Sequence, residues 1–263
     1  MRVPAVGAPR LIARPIDANA IASLAQRGWC VVPKWLDPPS TAALLADAIA
    51  LDAPCARNAA VGSHDARGVD TQVRNSRLCA LYPPPPPSAG FADTRMALYS
   101  AAAALREHLQ AEESLGLPEM HPFQTELSYL YYPKGGFYKR HLDVPPTNDG
   151  WYLRTRRPEH GGSGRGVRRA LSFILYLEES WREEWGGALR IFEEGEPARG
   201  TDSVQVEGVH AVGENYTDVV PHGGTLVILR SDRIEHEVLV TKRPRRCIVG
   251  WFRSEGKIQL DPL

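Results

Sequence analysis

The sequence predicts an α+β protein with a mainly β core and helices packed against it. Three observations carry that expectation. From residue 123 onward, short apolar or alternating runs recur with turn signals between them, the pattern of a sandwich or barrel. Before that point, apolar residues recur at helical spacing in three segments. The 263 residues are 43% hydrophobic and 24% charged, a globular balance with enough apolar mass for a sizeable core.

Residues 1–16 read as a disordered lead-in. They carry no continuous apolar stretch of the signal-peptide kind. Asp17 caps a first helix bearing Ile21 and Leu24, and Gly28 ends it. WCVV (29–32) is a short strand. The turn DPPST (37–41) opens a second helix with Leu44, Leu45, Ala48 and Ile49 on one face. Residues 52–80 show weak periodicity and read as a long, partly ordered loop. YPPPPP (82–87) reads as an extended, polyproline-like spacer or docking segment. A third helix starts at Asp93 and carries Leu98, Ala102, Leu105 and Leu109; Gly116 and Pro118 stop it. Strands follow at 125–132, 137–143, 170–177, 187–192, 225–231, 235–241 and 247–252. Between them, 144–169 breaks the pattern as a long loop whose end, 154–169, holds six Arg. The reading is one domain over 17–263, with helical support in 17–122 and the β core in 123–254.

Charge and cysteine content narrow the function. Thirty-one Lys+Arg balance thirty-one Asp+Glu, which argues against a dedicated nucleic-acid binder. No apolar run approaches the ~20 residues that span a bilayer. Four widely spaced cysteines form no C-x-x-C pair, so reduced thiols in a cytoplasmic protein are expected.

His141 and Asp143 stand two apart on an expected strand, so both point to one face. His236, on a later strand, can add a second imidazole. Two His and one carboxylate leave the opposite face of a metal open, the ligand set of non-haem Fe(II) oxygenases. Arg245 shares strand parity with Cys247, Val249 and Trp251. Facing inward, its guanidinium would need an anion, and one end of a dicarboxylate satisfies that fork. Its neighbour Arg246 then points outward.

These residues stand in familiar motifs: YYPKGGFYKRHLD (131–143), LSFILYLEESW (171–181), WGGALRIFEEGE (185–196), TLVILRSDRIEHEV (225–238) and RRCIVGWF (245–252). The segment from about 123 to 253 resembles the prolyl 4-hydroxylase branch of the Fe(II)/2-oxoglutarate dioxygenases, the hypoxia-inducible-factor type and its bacterial relatives among them. VDTQVRNSRLCAL (69–81) is loosely similar to the segment bordering their substrate groove. The resemblance implies a double-stranded β-helix, a jelly-roll barrel flanked by helices. It implies Fe(II) on His141, Asp143 and His236, with 2-oxoglutarate and O2 as co-substrates and ascorbate as a reductant. It implies Arg245 and Tyr176 at the distal carboxylate, Tyr132 (with Tyr131 as its rival) in the pocket, and Ile174, Leu189 and Trp251 as apolar walls. The activity implied is hydroxylation of an unactivated C–H, with release of succinate and CO2. A prolyl residue of a protein or peptide is the leading substrate, and a small molecule or free amino acid the runner-up.

Two departures bear on substrate choice, since 144–169 and 193–217 are longer than their counterparts in the hypoxia-factor enzymes. The Arg-rich 154–169 reads as an acidic-substrate clamp or a solvated lid. Outside the family, two His and a carboxylate also suit a zinc hydrolase. A non-catalytic jelly-roll binding protein is the remaining alternative.

Overall fold

The computed structural model describes residues 11–61, 68–144, 152–153, 165–193, 206–211 and 215–257. Three helices come early: α1 (Ala18–Arg27), α2 (Pro38–Cys55) and α3 (Ala92–Ala111). The strands are β1 (Trp29–Val32), β2 (Arg57–Asn58), β3 (Arg74–Asn75), β4 (Arg77–Ala80), β5 (Met120–Tyr132), β6 (Phe137–His141) and β7 (Tyr152–Leu153). They continue as β8 (Arg165–Tyr176), β9 (Leu189–Phe192), β10 (Val209–Ala211), β11 (Tyr216–Val219), β12 (Leu226–Arg230), β13 (His236–Val238) and β14 (Arg245–Lys257).

The caps form as their chemistry requires. Asp17 accepts from the Ala20 amide and Asp37 from Ser40, each satisfying an amide that the first turn leaves unpaired. Gly28 closes α1 at φ 81°, a conformation glycine adopts without a Cβ penalty. Leu98, Ala102, Leu105 and Leu109 are all buried on α3, at the spacing expected.

Among the described residues all strand pairs are antiparallel and make two sheets. The larger runs β1-β12-β8-β14-β5-β4-β2, with β7 beside β8. The smaller runs β10-β11-β9-β13-β6-β3. Strand alternation sorts the large sheet's side chains into two layers. Cys30, Tyr129, Phe173, Leu175, Ile228 and Ile248 pack with the helices. Val31, Leu130, Ile174, Tyr176, Val227 and Val249 pack with Leu189, Ile191, Val219 and Val238 of the small sheet. The molecule is therefore layered helices, large sheet, small sheet. This is the two-sheet jelly-roll arrangement with helices on one side, and the described strands do not close into a barrel.

Several expectations are corrected. In the lead-in, residues 11–16 are held: Ala13 bridges Leu36, Arg14 N donates to the Trp35 carbonyl, and Ile16 is buried. Residues 1–10 lie outside the described set. Ile49 is exposed, and Asp47 and Leu51 take the buried positions on α2. Asp47 is a buried hub: it accepts from the Phe91 amide at 2.5 Å, from Arg95 at 2.7 Å and from the Tyr129 hydroxyl at 2.8 Å. Within 52–80 three short strands are paired, and residues 74–80 strap the sheets together, since β3 pairs β6 and β4 pairs β5. The first third thus supplies β1 to β4 to the sheets as well as helical support. The Arg-rich end of 154–169 is strand from Arg165 onward, while 154–164 lies outside the described residues.

Candidate active site

β6 and β13 lie side by side in the small sheet with His141 directly opposite His236. Their rings stand 4.4 Å apart, centroid to centroid. Each ring's Nδ1 meets a backbone carbonyl, Lys139 O at 2.8 Å for His141 and Ile234 O at 3.1 Å for His236. Those contacts fix Nδ1 as the protonated nitrogen and leave both Nε2 lone pairs free to ligate. Asp143 completes the group: Oδ1 is 3.7 Å from His141 Nε2 and Oδ2 is 3.7 Å from His236 Nε2. These separations are too long for hydrogen bonds. They suit ligands of one ion, because two donors each ~2.1 Å from a metal stand ~3–3.7 Å apart at angles of 90–120°.

The protonation states agree with that use. Burial first, then His236, pushes His141 down to about 3, so it is neutral at pH 7. Burial alone would raise the Asp143 carboxyl, but His236, His141 and Arg169 outweigh it and hold it well below the usual carboxylate range. Asp143 reaches the site by a route other than the expected one. β6 ends at His141, and Asp143 sits in the bend beyond it rather than on the strand.

The large sheet contributes Arg245 from β14, 1% exposed. Its register against Tyr132 of β5 and the turn of Tyr176 toward the same layer place both rings beside it, at 5.1 and 5.0 Å from the guanidinium carbon. Among the described residues, no hydrogen-bond partner meets its Nε, Nη1 or Nη2, or the Tyr176 hydroxyl. Arg245 and Tyr176 lie close without closing a bond of normal geometry. Burial raises both phenols, Tyr132 to about 12, so each keeps its proton and can donate. Arg246 faces the other way, toward Asp52, Glu178 and the Tyr131 ring, so by strand parity Arg245 and Tyr132 share the opposite face.

β9 connects the two halves. Gly187, just before it, packs on Arg245: a Cβ there would stand 3.0 Å from Thr241 Cβ and 3.4 Å from Arg245 Cδ. Ile191 pairs with His236, and buried Leu189 lies between. Ile174 lines the same layer. Trp251 lies further along β14, half-buried under the Arg169 guanidinium at 3.8 Å. Among the described residues the other histidines do not join this group, and His160 lies outside the described set. His121 lies 3.8 Å from Glu255 and His210 2.8 Å from Glu183.

Two nearby groups are not legible from the strand pattern. Tyr138 stacks on His141 at 3.6 Å with 22° between planes, and Arg74 covers its ring at 4.4 Å. A register shift opposite β6 brings positions 138 and 141 to one face, which strict alternation forbids. Glu126, Arg169 and Arg253 form a second cluster at the Asp143 side.

A buried cation with no partner among the described residues, facing the layer that holds a two-His-one-Asp group, fits a metal plus an anionic chelator: the donors suit the first and the fork suits the second. The comparisons agree. Residues 127–253 match the sequence model of the 2OG-Fe(II) oxygenase superfamily. Among solved structures, a prolyl-4-hydroxylase from Pseudomonas putida is similar at 27% identity and a TM-score of 0.58, covering 91% of this chain and 99% of that chain. A prolyl hydroxylase from Trichoplax adhaerens, in complex with a hypoxia inducible factor oxygen degradation domain peptide fragment, shares the fold at 18% identity and a TM-score of 0.63, covering 89% and 86%. So does the epimerase SnoN, in complex with Fe3+, alpha ketoglutarate and nogalamycin RO, at 17% identity and a TM-score of 0.53, covering 89% and 82%.

Match and fold agree on the class, a 2-oxoglutarate-dependent dioxygenase, with the likeness to the 2OG-Fe(II) oxygenase superfamily carried by residues 127–253. Within that class it is similar to prolyl 4-hydroxylases.

Proposed function

We propose that the protein hydroxylates an unactivated C–H of a prolyl residue in a protein or peptide. In this reading His141, Asp143 and His236 hold Fe(II), and Arg245 with Tyr176 holds the distal carboxylate of 2-oxoglutarate. The observation that carries it is Arg245: a buried guanidinium with no partner among the described residues, in the same layer as the triad. When bound, iron, the keto acid and O2 supply the oxidising chemistry, with succinate and CO2 as by-products.

The chain's own residues do the placing. Backbone carbonyls at Lys139 and Ile234 aim the two imidazoles. Arg245 offers a planar donor fork, and the protonated Tyr176 phenol adds a third donor. Tyr132 flanks the fork, and buried Ile174 and Leu189 make its surroundings apolar, so that the fork acts in a low dielectric. Half-buried Trp251 marks the side toward solvent, where a peptide would enter. A zinc hydrolase would have no use for Arg245 or Tyr176.

The same reading counts 17–263 as one domain, because strands from 29–80 and 120–257 share both sheets. It places the enzyme in the cytoplasm, with ascorbate as external reductant. Free thiols at all four cysteines accord with that compartment. No helix among the described residues is long and apolar enough to cross a membrane.

The test is turnover with Fe(II), 2-oxoglutarate, O2 and a panel of prolyl peptides. Succinate formed in step with a gain of one oxygen atom on proline supports the proposal. Succinate coupled to oxidation of a free amino acid or other small molecule, with no peptide oxidised, contradicts the prolyl assignment.

A further inference from the structure

Asp143 lies beyond the end of β6, so strand pairing does not place it, unlike His141 and His236. The structure shows a different support. Arg169 on β8 donates from Nη1 to the Asp143 carbonyl at 3.1 Å. Its Nε and Nη2 grip the two oxygens of Glu126 at 3.0 and 2.9 Å, a bidentate fork. Its flat face lies 3.8 Å from the Trp251 ring. Two edges and one face of the guanidinium are thus engaged, which leaves it little freedom.

Arg169 reaches this position through a local irregularity. Phe252 pairs with Leu171, but Arg253 pairs with Arg169, so Ala170 has no counterpart on β14. That is a β-bulge, which shifts every following side chain to the other face and recurs beside active sites. Without it Ala170 would join Ser172, Ile174 and Tyr176 on the inner face, and Arg169 would turn away. The bulge also sets Arg169 opposite Arg253, an unfavourable like-charge pair. Glu126 resolves it, accepting from Arg253 at 2.6 Å as well. Burial pushes the Glu126 carboxyl up, yet the two guanidinia prevail and hold it ionised.

We propose that Arg169, turned inward by the bulge at Ala170 and anchored by Glu126 and Trp251, is the positioning residue for the turn that carries Asp143. This rests on the reading that Asp143 is a metal ligand. Arg169 does not touch the ion; it fixes the backbone from which the carboxylate reaches it. Arg253 shares the same carboxylate without the bond to Asp143, so it serves as the internal control.

The experiment is Co(II) binding to the metal-free full chain, followed by titration and by the visible bands of the bound ion. Arg169→Met is expected to weaken Co(II) binding about 10–100-fold, the range for loss of an outer partner of a ligand, and to alter the bands. Arg169→Lys keeps the charge but not the fork and is expected to show the same defect. Arg253→Met is expected to stay within about threefold of the parent, and melting curves establish that each variant is folded. Combining Arg169→Met with Asp143→Ala is expected to add nothing to Asp143→Ala alone, since both act through one carboxylate. Co(II) affinity of Arg169→Met within twofold of the parent, or an equal loss in Arg253→Met, would overturn the proposal. A change confined to peptide KM would overturn it too, because Arg169 would then serve the substrate. If the parent chain itself fails to take Co(II), the metal reading fails, which is a separate outcome.

Discussion

Replacing Arg245 by Met separates a role in folding from a role in binding, because the two effects have opposite signs. The guanidinium is 1% exposed, and its three nitrogens find no partner among the described residues. The Tyr132 and Tyr176 rings at 5.1 and 5.0 Å compensate only part of its lost hydration. Met keeps the apolar stem and removes the charge. An unsatisfied buried donor costs about 1–3 kcal/mol, and more for a charged group, so the protein without co-substrate should gain about that much. For a chain of this size each kcal/mol raises Tm by about 2–4 °C. Binding moves the other way. A fork on a carboxylate contributes about 3 kcal/mol, the upper end for bonds to charged groups, so the Kd for 2-oxoglutarate should rise about 100-fold. Calorimetry reads both quantities on the same preparation. A lower Tm together with a 2-oxoglutarate Kd within threefold of the parent would refute the reasoning, since Arg245 would then be a structural cation.

Asp143→Ala removes one of the three ligands and should weaken Fe(II) or Co(II) binding by more than about 100-fold, beyond the 10–100-fold typical of outer partners; equilibrium dialysis reads it. Asp47→Ala leaves the buried Arg95 without its carboxylate and should cost about 3–5 kcal/mol, read as a lowered urea midpoint while metal stoichiometry in the folded fraction is unchanged. The thiols should differ sharply in the native protein at pH 8. Burial pushes Cys30 up to about 12, burial and then Cys55 push Cys79 up to about 12, and burial raises Cys247. These three stay protonated and enclosed, so a disulfide reagent should label about one thiol, the partly exposed Cys55, before denaturation and all four after it.

What the sequence reveals and hides has local causes. Parity along β14 assigns Arg245 inward and Arg246 outward, because an unbroken strand carries its alternation from 245 to 252. Parity along β8 fails at Ala170 and along β6 between 138 and 141, because a bulge leaves no mark on the hydrophobic pattern. Arg169 and Tyr138 go unread for that reason. Asp143 is recognised by residue type and spacing, although a bend rather than a strand carries it. Ile49 and Asp47 show the limit of helical periodicity: a buried carboxylate with three donors displaces an apolar side chain from the inner face of α2. Residues 52–80 look loop-like because β2 and β3 are two residues long, too short for any period.

The central claim is that one ferrous ion and one keto diacid sit together between the triad and Arg245. Anaerobic titration of the metal-free chain, watched in the visible region, tests it most directly. A charge-transfer band should grow only when Fe(II) and 2-oxoglutarate are both present, saturate at one equivalent of each, and vanish in His236→Ala. An absent band, or one that forms just as well in His236→Ala, would contradict the account.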